Sequence, residues 1–128
     1  PCAKPIYIKM PINLIWLEFD RLLQVIAEFK IAGVIIGNLN KKHSYPYGAL
    51  SGQPCFALSN ELIRQTRKKY AKRFTIIGTG GIFSPADALA KFNAGADLVQ
   101  LITGLIYQGP SLIKKIAKAY ALTSSSAD

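Results

Sequence analysis

Two glycine-bearing turns are where this sequence is best equipped for chemistry. The first lies in Ile76-Ile77-Gly78-Thr79-Gly80-Gly81-Ile82 and the second is Thr103-Gly104. Glycines between a strand and a capped helix let backbone amides come close to an anion. The second turn adds a hydroxyl and further amides at the same end of a sheet. In barrel enzymes the loops after the last two strands commonly build one phosphate site with a short helix. Either turn alone is by default a tight strand-to-helix connection; the pair, at this spacing, predicts a phosphate cradle. Metal chemistry has little to work with. His43 is the only histidine, and Cys2 and Cys55 stand far apart outside any Cys-x-x-Cys pattern. No zinc or iron site is expected from so few nitrogen and sulfur ligands. Two isolated cysteines suit a reducing compartment better than a disulfide framework, and Cys55 reads as a packing residue.

The elements that must position these turns follow from periodicity. Pro5–Lys9 is an apolar, β-favouring run, and a helix follows over about 17–31, with Leu22, Leu23, Ile26 and Phe29 at helical spacing and Glu18, Asp20, Arg21 and Glu28 among the polar positions. Val34–Gly37 is a second strand. It leads into a turn-rich stretch holding Asn38, Asn40, Pro46, Gly48, Gly52 and Pro54, long enough to suggest function. Ser59 is expected to cap a helix to about Lys72, with Leu62, Ile63, Thr66 and Tyr70 inward. Thr75–Gly78 is the third strand. Ser84-Pro85-Ala86-Asp87 then opens a helix that ends at Gly95, with serine at the cap, proline in the first turn and aspartate at the positive end of the dipole. Asp97–Ile102 is the fourth strand, Pro110 to about Leu122 a last amphipathic helix, and 123–128 a polar, flexible tail.

With 128 residues, half of them hydrophobic, and a mean hydropathy of +0.21, the chain has room for one well-buried domain. The strands are apolar throughout instead of alternating, as in a parallel sheet covered on both faces. Four βα units make half of a (β/α)8 barrel, whose complete form needs about 250 residues. An open flavodoxin-like sheet with helices on both faces also satisfies the periodicity.

Several motifs in order carry a family resemblance: Gly48-Ala-Leu-Ser-Gly52-Gln-Pro54, Leu58-Ser59, Ile63-Arg64, Ile76–Ile82, Asp87-Ala88, Ala94-Gly-Ala96, Leu98-Val-Gln-Leu101, Thr103-Gly104 and Ile106-Tyr-Gln-Gly-Pro110. Together they resemble the C-terminal half of the class 2, quinone-linked dihydroorotate dehydrogenases. The resemblance implies half of a TIM barrel over 1–122, FMN as cofactor, dihydroorotate and orotate as substrate and product, and a quinone as electron acceptor in pyrimidine synthesis. It implies FMN contacts at Lys9, Gly37, Ser51, Gly52, Gly80, Gly81, Thr103 and Gly104. Lys9 would be a fixed cation beside the flavin, stabilising the negative charge of reduction; read without the family, it is a lysine snorkelling from a strand end. Asn38, with Leu39 beside it, would contact the substrate, since an amide both donates and accepts; read alone, it is a turn asparagine.

Relatives usually carry threonine where Gly37 and Leu39 stand, tyrosine at Ile102, and Ala-Pro-Asp at Pro11-Ile12-Asn13. The family's catalytic base, a serine, belongs to the first half of the barrel and has no counterpart here, so no catalytic residue is assigned to this chain. The expected partner is that first half or a second copy of the chain. The whole protein would sit peripherally on a bacterial inner membrane, at its cytoplasmic side, or on the mitochondrial inner membrane.

Sixteen Lys and Arg against seven Asp and Glu give a net charge of +9, which favours anionic neighbours. Arg64, Arg67, Lys68, Lys69, Lys72, Arg73, Lys114, Lys115 and Lys118 read as solvated outer helix faces. They lack the exposed aromatics and glycine arms of nucleic-acid modules, and no nucleic-acid partner is expected. Two rival readings are a non-catalytic phosphate- or flavin-binding half-barrel that dimerises and a basic domain docked on RNA or membrane.

Overall fold

The computed structural model describes residues 4–124. Four strands, β1 (Tyr7–Met10), β2 (Gly33–Ile36), β3 (Thr75–Thr79) and β4 (Leu98–Gln100), form one parallel sheet in the order β1-β2-β3-β4. The helices are α1 (Trp16–Glu28), α2 (Phe56–Tyr70), α3 (Pro85–Ala94), α4 (Thr103–Gln108) and α5 (Ser111–Ser124). Strand order that follows chain order, with no reversal, decides between the two architectures left open by periodicity. A doubly wound sheet has a switch point where the order reverses, and this sheet has none.

The register separates two faces. Ile8, Val34 and Ile76 share one row and Met10, Ile36, Gly78 and Val99 the next. This outer face carries the core: Met10, Val34, Ile36 and Ile76 pack with Phe19, Leu23 and Ile26 of α1 and Leu62 and Ile63 of α2. A smaller cluster joins Ile82 and Ala88 to Leu112 and Ile116 of α5. The opposite, inner face holds Tyr7, Gly33 and Thr75 in one row and Lys9, Ile35, Ile77 and Leu98 in another. There Tyr7 is 37% and Leu98 53% exposed. Apolar strands predicted two covered faces; within the described residues only the outer one is closed.

Local signals set most boundaries. Ser84 Oγ accepts from the Asp87 amide at 3.2 Å, and Asp87 Oδ2 accepts from Phe83 N at 3.0 Å and from Ser84 Oγ at 2.8 Å. Gly95, at φ +114°, ends α3 in the left-handed conformation expected of a C-cap glycine.

Other boundaries and faces differ from expectation. α1 ends at Glu28, because the chain turns extended at Phe29 and Ala32 N already donates to Ile6 O at 3.0 Å beside the sheet. Phe19 and Asp20 are buried on α1, whereas Leu22 and Phe29 are exposed. Ser59 does not cap α2: a 3-10 turn over Gln53–Cys55 runs straight into the helix at Phe56, so Ser59 lies one turn inside it and is fully buried. α5 continues through Ser124, two residues into the stretch read as a tail, whose remainder lies outside the described residues.

Four of the basic residues do more than face water: Arg64 pairs with Glu61 on its own helix, and three others join separate elements. Arg67 donates to Gly95 O at 2.8 Å and Asp97 Oδ2 at 2.6 Å, tying α2 to the turn before β4. Arg73 donates to Ala27 O and Phe29 O, at 3.0 and 2.9 Å, closing the carboxyl end of α1. Lys69 donates to buried Asp20 at 2.5 Å.

Candidate functional site

All the residues singled out from sequence meet in one cleft at the carboxyl ends of the strands. Lys9 comes from β1, Gly37, Asn38 and Leu39 from the turn after β2, Ser51 and Gly52 from the long loop, Gly80 and Gly81 from the turn after β3, and Thr103 and Gly104 from the start of α4. Ligands of α/β sheets gather at this end because loops leaving the strands converge there. The cleft holds about 90 Å³ of water-accessible space. That admits a phosphate group and falls well short of the roughly 300–1,000 Å³ that encloses a whole drug-sized ligand.

The cradle is built on close backbone approach. A Cβ on Gly81, whose φ is +75°, would stand 2.5 Å from the Phe56 Cβ; one on Gly104 would stand 1.8 Å from the Ile82 carbonyl oxygen. No side chain fits at either position, so both turns approach their neighbours closely where they line the cleft. Among the described residues, the turn and loop hydrogen bonds leave the amides of Gly81, Thr103 and Gly104 without a protein acceptor. Ser51 and Thr103 join the loops through a 2.6 Å hydrogen bond between their hydroxyls.

One expected element of the cradle is filled by the protein itself. The amino end of α3 does not stand open to an anion, because the Asp87 carboxylate already occupies it through Phe83 N and Ser84 Oγ. The amides that remain belong to the glycine turn and to the first residues of α4, a short helix the sequence reading left as turn and strand end.

The electrostatics favour an anion. Lys9 is the one cation lining the cleft among the described residues, and no carboxylate or histidine lines it. Asn38 Oδ1 accepts from Leu39 N at 2.8 Å, which orients the side chain and leaves Nδ2 to donate outward. Cys55 also lines the cleft, at 2% exposure; burial pushes its thiol pKa up, and Sγ donates to Leu50 O at 3.4 Å. It packs under Gly80, as its sequence context suggested.

Sequence reasoning missed Thr79 and Leu101 as cleft residues. Thr79 could have been found from its place between two glycines at a strand end. The departures from the family pattern have visible consequences. Asn13 donates to Asn40 Oδ1 at 2.8 Å and accepts from Lys41 N at 2.7 Å, pinning the loop after β2. Ile102 lies 65% exposed at the cleft rim.

Comparison with known proteins identifies the family. The family model described as dihydroorotate dehydrogenase matches residues 2–122. A dihydroorotate dehydrogenase (quinone) of Christiangramia forsetii is 43% identical over 120 residues, 88% of this chain and 35% of that protein. One from Herminiimonas arsenicoxydans is 42% identical over 123 residues, 90% of this chain and again 35% of the relative. The crystal structure of the Eimeria tenella enzyme in complex with ferulenol superposes with a TM-score of 0.85 at 26% identity, covering 94% of this chain and 34% of that one. The four βα units thus correspond to part of a TIM barrel, and the chain spans about a third of the length of these relatives. With a family model matched over nearly its whole length and relatives above 40% identity, the chain belongs to the dihydroorotate dehydrogenase family.

Proposed function

We propose that this chain is the FMN-phosphate half of a quinone-linked dihydroorotate dehydrogenase. The observation that carries the reading is the convergence of Lys9, Asn38, Ser51, Gly81 and Gly104, from separate elements and loops, on one cleft of phosphate size that no carboxylate lines among the described residues. The residues fit the group: glycine turns too tight for a Cβ, amides without protein acceptors, and a lysine on the inner face.

When bound, FMN supplies the two-electron acceptor for oxidation of dihydroorotate to orotate. In this chain the Gly81 and Gly104 amides bind the phosphate. Ser51 and Thr103 hold the two loops together. Lys9 would set a fixed positive charge beside the bound group, and Asn38 would offer its amide to the substrate. Among the described residues no carboxylate or histidine lines the cleft to abstract a proton, and Ser51 is engaged with Thr103. We therefore assign the base to a segment outside these 128 residues, and the half-exposed inner face to packing against the first half of the barrel. A membrane-dissolved quinone as acceptor would hold the whole protein peripherally on the inner membrane.

The alternative, a non-catalytic half-barrel that dimerises, draws on the same open inner face and on the edge strands β1 and β4. Flavin fluorescence titration with FMN tests the main reading, with inorganic phosphate as competitor. One FMN should bind per chain and phosphate should displace it; failure to saturate, or indifference to phosphate, would contradict it. Dihydroorotate turnover restored by a relative's first half separates the enzyme half from the dimer.

A further inference from the structure

A buried charge lies behind the glycine turn. Lys91 occupies the inward face of α3 between Ala88 and Ala94 and is 0% exposed. The small alanines on either side leave space for its four-carbon stem. Its Nζ donates to Ser59 Oγ at 2.7 Å and to Asn60 Oδ1 at 2.9 Å, and it lies 5.1 Å from the centroid of the Phe56 ring. These partners are neutral, and among the described residues no carboxylate forms an ion pair with it. Lysine is almost never fully buried unless paired.

The residues that hold the ammonium also back the cradle. Phe56 Cβ lies 2.5 Å from the Cβ position of Gly81, and Ser59 Oγ lies 3.6 Å from that of Gly80. The Lys91 stem itself reaches β3, with Cδ 3.2 Å from the Cβ position of Gly78. One layer of side chains therefore separates a cation that has no ion-pair partner among the described residues from the Gly80–Gly81 turn that lines the cleft.

We propose that Lys91 is a positioning residue for the bound phosphate: its ammonium, set behind the Gly80–Gly81 turn, supplies the opposite charge that makes the cleft select a phosphate dianion over an uncharged analogue. This rests on the reading of the cleft as an FMN-phosphate site and adds to it the source of charge selectivity. Lys91 touches no ligand and acts through the field that crosses Ser59 and Phe56.

The competing role, a neutral staple between α2 and α3, acts on any ligand alike. The two roles also differ in pH dependence. Burial lowers the Lys91 pKa to about 8, opposed by the negative charge of Cys55 from the 3-10 turn when it is ionised and by the Asp87 carboxylate from α3. α2 faces the ammonium with neutral Phe56, Ser59 and Asn60, and β3 with Gly78. A dianion in the cleft favours the protonated lysine, so affinity must fall as pH rises through this range.

The test compares wild-type protein with Lys91→Met, titrated with FMN and with riboflavin from pH 6.5 to 9.5 by flavin fluorescence. At pH 7, Lys91→Met should lose about tenfold in FMN affinity, the scale of one charge interaction near a protein surface, and less than about twofold for riboflavin. Wild-type FMN affinity should decline above about pH 8, and the folded variant should lack that decline. Equal FMN binding by a folded variant, or equal loss for FMN and riboflavin, overturns the proposal. If Lys91→Met does not fold, calorimetry of wild type near pH 8.5 in two buffers of different ionisation heat decides: net proton uptake with FMN supports it, and none overturns it. Absence of FMN binding by wild type itself would bring down the cleft reading and this inference together.

Discussion

The two faces of the four-stranded sheet make different use of similarly apolar strands. On the outer face Met10, Val34, Ile36 and Ile76 are at most 2% exposed and lie under α1 and α2. On the inner face Tyr7 and Leu98 are 37% and 53% exposed, and that face runs up into the cleft. The outer face is covered and supplies stability; the inner face and its loops are where the proposed recognition would take place. Substitutions should therefore separate cleanly, those under the helices costing stability and those at the cleft costing affinity.

The largest effect should come from the outer face. Phe19→Ala empties a fully buried site and should cost about 3–5 kcal/mol, a large share of the roughly 5–15 kcal/mol that holds a domain together. Urea unfolding followed by circular dichroism measures it. A loss below about 1 kcal/mol would break the comparison at its stable end.

Ser51→Asp tests the other end. The residue is exposed, and its hydroxyl meets Thr103 at the cleft rim. A carboxylate there should reduce FMN affinity by about a hundredfold through charge repulsion and a lost hydrogen bond, while the urea midpoint stays near wild type. Equal losses of stability and affinity would merge the two regions.

How much of this division is legible in the sequence depends on how local each signal is. The Ser84-Pro85-Asp87 cap, the Gly95 stop and the two glycine turns lie within a few residues of what they determine. The strand order agrees with repeated βα units. Asp20, Ser59 and Lys91 were not legible as buried positions, because each is a polar residue whose partners lie on another helix: Lys69 and Tyr70 for Asp20, and Ser59 and Lys91 for one another. Leu22 and Phe29 fit the helical stripe yet face outward, since periodicity places a residue on a side of the helix without showing where the sheet lies.

The Asp20 cluster gives a smaller, pH-resolved prediction. Burial raises the Asp20 pKa, and hydrogen bonds from Lys69, Tyr70 and Gln24 more than offset it, for a net lowering. A carboxylate with a lowered folded-state pKa contributes stability that is present above its unfolded pKa of about 3.9 and is lost as pH falls through the folded value. Tyr70 acts in the opposite sense: burial and Asp20 push its pKa up to about 12. Its contribution is complete below about pH 10 and is lost as pH rises towards 12. Asp20→Asn should cost about 1–3 kcal/mol at pH 7 and flatten both limbs of the stability–pH curve. An unchanged acid limb would contradict the assignment.

The smallest effect belongs to the inner face. Leu98→Ala removes a side chain already half in water and should cost less than about 1 kcal/mol in the 128-residue chain, as its exposed share has no burial to lose. With a relative's first half bound, the same change should cost measurably more, which sharpens the claim that this face awaits a covering surface.

The central claim, that the Gly80–Gly81 and Thr103–Gly104 turns hold a phosphate, is met most directly by a crystal structure of the protein grown with FMN. The account predicts the phosphate within hydrogen-bond distance of the Gly81 and Gly104 amides, with Lys9 facing the flavin. A phosphate bound instead on the basic outer helices, with the cleft left to solvent, would contradict it.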